Sequence, residues 1–333
     1  MKVLLIGGSG LISSGVAREA LLQGMDLWTL NRGKSRHLLP TGAKELIADY
    51  EDEAAVRAVL EGQHFDTVVD FRAWNAAHID RAVDIFTSIT DQYIFISSGT
   101  VYKKPLENYM IREDAPLGNL HSSYARNKLA CEECLRSHLA EGFPGVIVRP
   151  SLTYADFDPL MAINSRVKPY SIINRMRKGK PVIVHGDGNS LWTITHAFDF
   201  ARGMVGLFGN PKTIGEAFHI TTDEVLDWNQ IYTLLAHAAG VEANLIHISS
   251  ETLGYFEPSL RESLLGDHAC SAIFDNTKIK TFVPNFRCEI PFEEGAKRIV
   301  RWFDADPMNR ETVDSEWDQK MDEIIRKYQT IFD

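Results

Sequence analysis

The chain opens Met1-Lys2-Val3-Leu4-Leu5-Ile6-Gly7-Gly8-Ser9-Gly10-Leu11-Ile12-Ser13, a short apolar run that stops at glycines. Residues 3–6 read as a buried strand, and residues 11–23 carry a helical pattern that Gly24 closes as a C-terminal cap. A strand entering a helix through glycines makes a tight turn whose backbone can approach a pyrophosphate. The N–H groups at the helix start then hold the phosphate charge. Such a pattern alone is weak; at the first strand–helix junction it is more specific. Gly7, Gly10, Leu11 and Ile12 are therefore the expected cofactor-binding residues of the turn. Ser13 replaces a third glycine, at a place that serves close helix–strand packing and tolerates a small side chain.

Outward from this turn, strands and helices alternate. Strands are predicted at 27–31, 45–48, 67–70, 93–97 and 146–149, with helices at 53–60, 75–89 and 123–139. That order predicts an α/β fold, a doubly wound parallel sheet of the Rossmann type, over residues 1–150. After Pro150 the pattern loosens. Residues 155–169 read as a loop, followed by helices at 172–178, 197–208 and 228–239 and a strand at 182–184. Residues 151–333 are expected to form mainly a smaller mixed α/β substrate lobe, with some segments returning to the first unit. Residues 315–332 are amphipathic, with Trp317, Met321, Ile324, Ile325, Tyr328 and Phe332 near one face, as for a helix packed on its own chain.

The 333 residues are 44% hydrophobic, enough for a large core, and carry a formal net charge of −10. No Lys/Arg run has the density of a nucleic-acid footprint. No apolar run could span a bilayer, and the opening stretch is a strand and not a signal peptide. Four cysteines in a chain this long make no disulfide framework, so a cytoplasmic enzyme is expected. Cys131 and Cys134 form a CxxC inside a helical pattern with no second pair at zinc spacing; they read as packing residues, and no metal site is expected.

The second strand ends Leu30-Asn31-Arg32-Gly33. A carboxylate here would bond the adenosine ribose 2′-hydroxyl and favour NAD. Asn31 is neutral and Arg32 can pair with a 2′-phosphate, so NADP is favoured over NAD. Asp49, after the third strand, either meets the adenine amino group or caps the following helix. Tyr124 and Lys128 stand four apart on one helix and share a face. A lysine ammonium beside a phenol favours the phenolate, which can take a proton from a substrate hydroxyl. The pair gains weight from its company: the glycine turn, Ser98 at a strand end, and Arg149-Pro150.

Together these motifs resemble the extended short-chain dehydrogenase/reductase superfamily, in its NAD-dependent epimerase/dehydratase family. The turn at 7–13 resembles the family's GxxGxxG, residues 97–102 its SS(x)(x)VYG, and Tyr124 to Lys128 its YxxxK. Residues 179–188 through Asp199 resemble its GKP…GDG…D-A segment, and residues 274–278 its DxSK element. The resemblance implies that Ser98 bonds the reacting oxygen and Tyr124 is the acid/base. It gives Lys128 two tasks, holding the nicotinamide ribose and lowering the tyrosine pKa. It also implies a sugar or nucleotide-sugar substrate and allows a homodimer.

Departures from the family pattern narrow the chemistry. Gly99 and Thr100 stand where dehydratases carry an Asp-Glu pair, which disfavours elimination. Trp192 takes the place of one diphosphate-binding arginine, and Gly266-Asp267-His268-Ala269 lies where a second is usual. Arg166, Lys168, Arg175 and His268 remain as substitute anion binders. Thr100, Trp192 and His196 are the candidate substrate contacts, although Trp192 could simply pack and His196 could be a satisfied structural histidine. In Asp70-Phe71-Arg72-Ala73-Trp74 the plainer expectation is that Asp70 pairs with Arg72; contact with substrate is the alternative. The leading expectation is an epimerase-like enzyme that oxidises a carbinol and returns hydride to the other face. The alternatives are a net NADP-dependent reductase and a non-catalytic dinucleotide-sensing or RNA-binding relative.

Overall fold

Strand β1 (Lys2–Ile6) alternates its side chains between two cores: Val3 and Leu5 on one face, Leu4 and Ile6 on the other. Both sets are fully buried, which requires helices on both sides of the sheet. The computed structural model, which describes residues 1–34 and 39–331, supplies them. Helices α1 (Leu11–Leu22) and α6 (Ala197–Val205) pack on the first face. Helices α2 (Glu53–Leu60), α3 (Ala76–Phe86) and α4 (Ser123–Ala140) pack on the second. Gly15 makes the α1–α6 approach possible, since a Cβ there would lie 2.7 Å from the Ala197 carbonyl oxygen.

Next to β1 lie β2 (Asp26–Asn31) and β3 (Lys44–Ile47) on one side. On the other side follow β4 (Thr67–Asp70), β5 (Tyr93–Ile96), β6 (Gly145–Pro150) and β7 (Ala217–Ile220). The seven strands run parallel in the order β7-β6-β5-β4-β1-β2-β3, a doubly wound Rossmann sheet as the alternation predicted. Strand β7 is drawn from beyond residue 150 and closes the sheet edge. Predicted and observed elements agree to within a few residues. Asn75 and Ser122 serve as side-chain N-caps of α3 and α4.

A second core gathers around α5 (Ser171–Arg177), α7 (Trp228–Ala238) and the helix Phe292–Asp304. The C-terminal helix Ser315–Gln329 docks on it through Met321, Ile324 and Ile325; Phe332 lies outside the described residues. Among the described residues no helix is long and apolar enough to cross a membrane. All four cysteines are free, and Cys131, on the buried face of α4, packs in the core.

Candidate active site

The carboxyl ends of β1, β2 and β4 open onto a cleft of about 470 Å³. Gly7, Gly10, Leu11, Ile12, Asn31, Arg32, Asp49, Tyr124 and Lys128, the full predicted cofactor set, all line it. Gly7 takes φ +84°, a left-handed conformation suited to glycine. Ser13 does more than fit: its hydroxyl donates to Gly7 O at 2.7 Å and accepts from Gly10 N at 2.7 Å, stitching the turn. Asn31 lines the cleft, and its buried Nδ2 has no hydrogen-bond partner among the described residues. Among the described lining residues, Arg32, Lys34, Arg72 and Lys128 set four cations against the single carboxylate of Asp49. That lining suits a dinucleotide polyphosphate. Asp49 does not cap α2; Asp52 does, accepting from Ala55 N at 3.0 Å.

Arg72 is a residue whose role the sequence did not disclose. Asp70 does not pair with it. The buried Asp70 carboxylate is taken by the hydroxyls of Tyr50 (2.8 Å) and Tyr93 (2.7 Å) and by the backbone N–H groups of Arg72 (2.6 Å) and Ala73 (2.8 Å). The exposed Arg72 side chain lies instead across the glycine turn, where a Cβ on Gly7 would fall 2.9 Å from its Cγ and Cδ. Trp74, 49% exposed, sets its indole against the Tyr124 ring at 5.3 Å between centroids.

A larger cavity of about 670 Å³ adjoins the cleft, and Leu11, Ile12, Tyr124 and Pro150 line both. Ser98, Thr100 and Trp192 line the larger one. Ser98 Oγ accepts from Thr100 N at 3.2 Å and from Thr100 Oγ1 at 3.0 Å, which leaves its one proton for a single donation, to the Tyr124 phenol or to a bound oxygen. Its hydroxyl lies near enough to the Tyr124 phenol to favour the phenolate. Gly99 lets the loop pass Phe274, whose ring would stand 2.8 Å from a Cβ there.

Burial is the largest influence on the Tyr124 phenol and pushes it above its ordinary value; Asp267 adds to the rise. The lowering expected from Lys128 is not seen. The Lys128 ammonium turns into the carbonyls of Ala73 and Ile96, both at 2.8 Å, and burial holds it below the usual lysine range.

Three other expectations meet competing contacts. The His196 ring is buried at 1% exposure, bonds Asp156 at 2.8 Å through Nε2 and caps α6 through Nδ1. It lines neither cavity. Arg175 is held by Asp318 and Asp322, both at 2.7 Å, and Lys168 donates to Val313 O at 3.0 Å. Trp192 is 2% exposed and its Nε1 donates to His268 O, so it forms wall rather than a free stacking platform. Asp80, Cys134 and His138 bring ligating atoms together on α3 and α4, but they are hydrogen-bonded to one another and line neither cavity.

Residues 3–221 match the family described as NAD dependent epimerase/dehydratase. The chain is similar to the 2'-dehydrokanamycin reductase of Streptomyces kanamyceticus, 26% identical over 255 residues, 75% of this chain and 70% of that one. It is also similar to the chloroplast stem-loop binding protein of 41 kDa b of Arabidopsis thaliana, 24% identical over 268 residues, 76% of this chain and 68% of that one. The fold superposes on UDP-glucuronic acid 4-epimerase from Bacillus cereus, solved with UDP-glucuronic acid and NAD. The TM-score is 0.73 at 20% identity, covering 92% of this chain and 99% of that one.

Proposed function

The chain belongs to the NAD dependent epimerase/dehydratase family, and from that premise we propose that it is an NADP-dependent oxidoreductase of a sugar-class carbinol or ketone. The observation that carries the reading is Tyr124 on the shared wall of the cleft and the cavity, with Ser98 on the same cavity wall and Lys128 one turn behind. Reducing a carbonyl needs a hydride at carbon and a proton at oxygen. The nicotinamide cofactor supplies the hydride when bound. Tyr124 supplies the proton, and Ser98 turns its hydroxyl proton to the reacting oxygen once substrate is bound. Lys128, with two of its three donors spent on carbonyls, keeps one for the cofactor ribose. Arg72 and the turn at 7–13 would hold the pyrophosphate, and Arg32 the 2′-phosphate.

Net redox with exchange of free NADP(H) is favoured over epimerisation with retained cofactor. Arg32 and Lys34 on the cleft wall support it, as does the relative named as a 2'-dehydrokanamycin reductase. Dehydration lacks its carboxylates, since Thr100 stands there and its hydroxyl is bound to Ser98. Tyr124→Phe tests the assignment. Cofactor affinity should persist while NADPH consumption with keto-sugars falls by about 10² or more, the scale of general acid/base catalysis. Near-normal turnover would remove Tyr124 from the mechanism, and stoichiometric release of NADP⁺ by wild type separates net reduction from epimerisation.

A further inference from the structure

The far wall of the substrate cavity is a single π-helical turn, Leu264–His268, a geometry frequent at functional sites. Its last carbonyl is held by four side-chain donors. His268 O accepts from His185 Nε2 (2.9 Å), Ser190 Oγ (3.0 Å), Trp192 Nε1 (3.3 Å) and Trp228 Nε1 (3.3 Å). Gly266 lets the turn press on the start of α4, since a Cβ there would lie 3.0 Å from Ser122 Cβ. Asn119 Nδ2 fastens it by donating to Gly266 O at 2.6 Å. The construction delivers Asp267 to the cavity wall within electrostatic reach of Tyr124. Among the described residues nothing donates a hydrogen bond to its carboxylate or forms an ion pair with it. Burial raises its pKa to about 6, and Lys104 offsets this only in part.

We infer that Asp267 is the specificity residue of this cavity and takes a protonated amine of the substrate, so that the enzyme selects an amino-sugar or related amino-polyol over a nucleoside diphosphate sugar. A largely desolvated carboxylate with no partner among the described residues is costly to keep, and a bound ammonium would satisfy it with a charge-assisted hydrogen bond. The other charges agree. Glu262 lines the cavity and already accepts from Ser123 N (2.9 Å) and Oγ (2.6 Å). Burial keeps His268 neutral. Among the described lining residues Arg166 is the one cation, set against two carboxylates, a poor frame for a diphosphate.

The inference rests on reading this cavity as the substrate site of Tyr124. Its test is ligand-observed NMR on the NADP⁺-saturated protein. The probes are a panel of amino-sugars, each paired with its N-acetylated counterpart, with UDP-glucose as a third arm. Amino-sugars should bind about tenfold or more tighter than their neutral partners, and tighter than UDP-glucose. Asp267→Asn, and Asp267→Ser as a second variant, should bring each pair to within about twofold. Absence of amino-sugar binding, a preference that survives both variants, or tighter binding of UDP-glucose overturns the inference. If those results come while NADPH binding and the Tyr124→Phe loss both stand, the substrate class alone is wrong. A protein that binds no nicotinamide nucleotide undoes the underlying reading as well.

Discussion

On the proposed reading, two arginines on the cleft wall would serve different parts of a bound dinucleotide. Arg32 follows β2, where the adenosine ribose lies in this fold, and neutral Asn31 beside it repels nothing. Arg72 crosses the glycine turn, where a pyrophosphate would lie, and that group is common to NAD and NADP. Charge-assisted hydrogen bonds are worth about 1.5–3 kcal/mol, so each guanidinium governs roughly ten- to a hundredfold in affinity. Arg32→Ala should therefore weaken NADP and spare NAD, erasing the preference. Arg72→Ala should weaken both by the same factor. Calorimetric titration of both cofactors decides it: equal wild-type affinities, or a selective NADP loss in the Arg72 variant, would show that the phosphates are held elsewhere.

Helix α4, which bears the proposed catalytic pair, has its buried face clamped to the sheet. Tyr124, Lys128 and Glu132 recur every four residues, so they share that face. Glu132 is fully buried. It accepts from Ser97 Oγ at 2.6 Å and grips Arg149 of β6 through Nε at 2.9 Å and Nη2 at 2.6 Å. Arg149 passes the link on to the Tyr102 hydroxyl at 2.7 Å, and Tyr102 to His219 of β7. Removing one partner of such a pair strands a buried charge. Glu132→Gln should destabilise by about 3–5 kcal/mol. Glu132→Leu combined with Arg149→Met should cost less than the sum of the two single changes. Urea unfolding gives both numbers, and a single-variant loss below about 1 kcal/mol would mean that the clamp is not a structural determinant.

At the scale of the whole molecule, the substrate cavity lies where the ends of the parallel sheet meet the second core, and folding must place Asp267 there. Its folded pKa of about 6 stands above the reference value of 3.8, so between those two values the native state binds more protons than the unfolded chain. Stability is therefore lost as pH rises from about 4 to about 6. At roughly 1.4 kcal/mol per unit the loss is on the order of 1–3 kcal/mol, allowing for the carboxylate's partial exposure. Asp267→Asn should be more stable than wild type at pH 7.5, with the advantage gone by pH 4. Denaturant midpoints at the two pH values check this, and a variant less stable at pH 7.5 would mean that Asp267 has an internal partner.

The sequence by itself determined what is local. Alternating burial, a helix pattern and a glycine turn each occupy a few successive residues, so the βα order, the α/β class and the shared face of Tyr124 and Lys128 were legible from the order of residues. Only the tertiary structure decided which polar groups were already spent. Arg175 is held by Asp318 and Asp322, His196 by Asp156, and the His268 carbonyl by donors as far away as His185. The same holds for β7 joining the sheet edge, for Arg72 lying over the glycine turn, and for Asp267 being left unpaired beside Tyr124. Periodicity records the repeat of a single element. Which distant side chain reaches a given charge depends on how the chain closes in space, and that closure is what separates a satisfied residue from one left to meet a ligand.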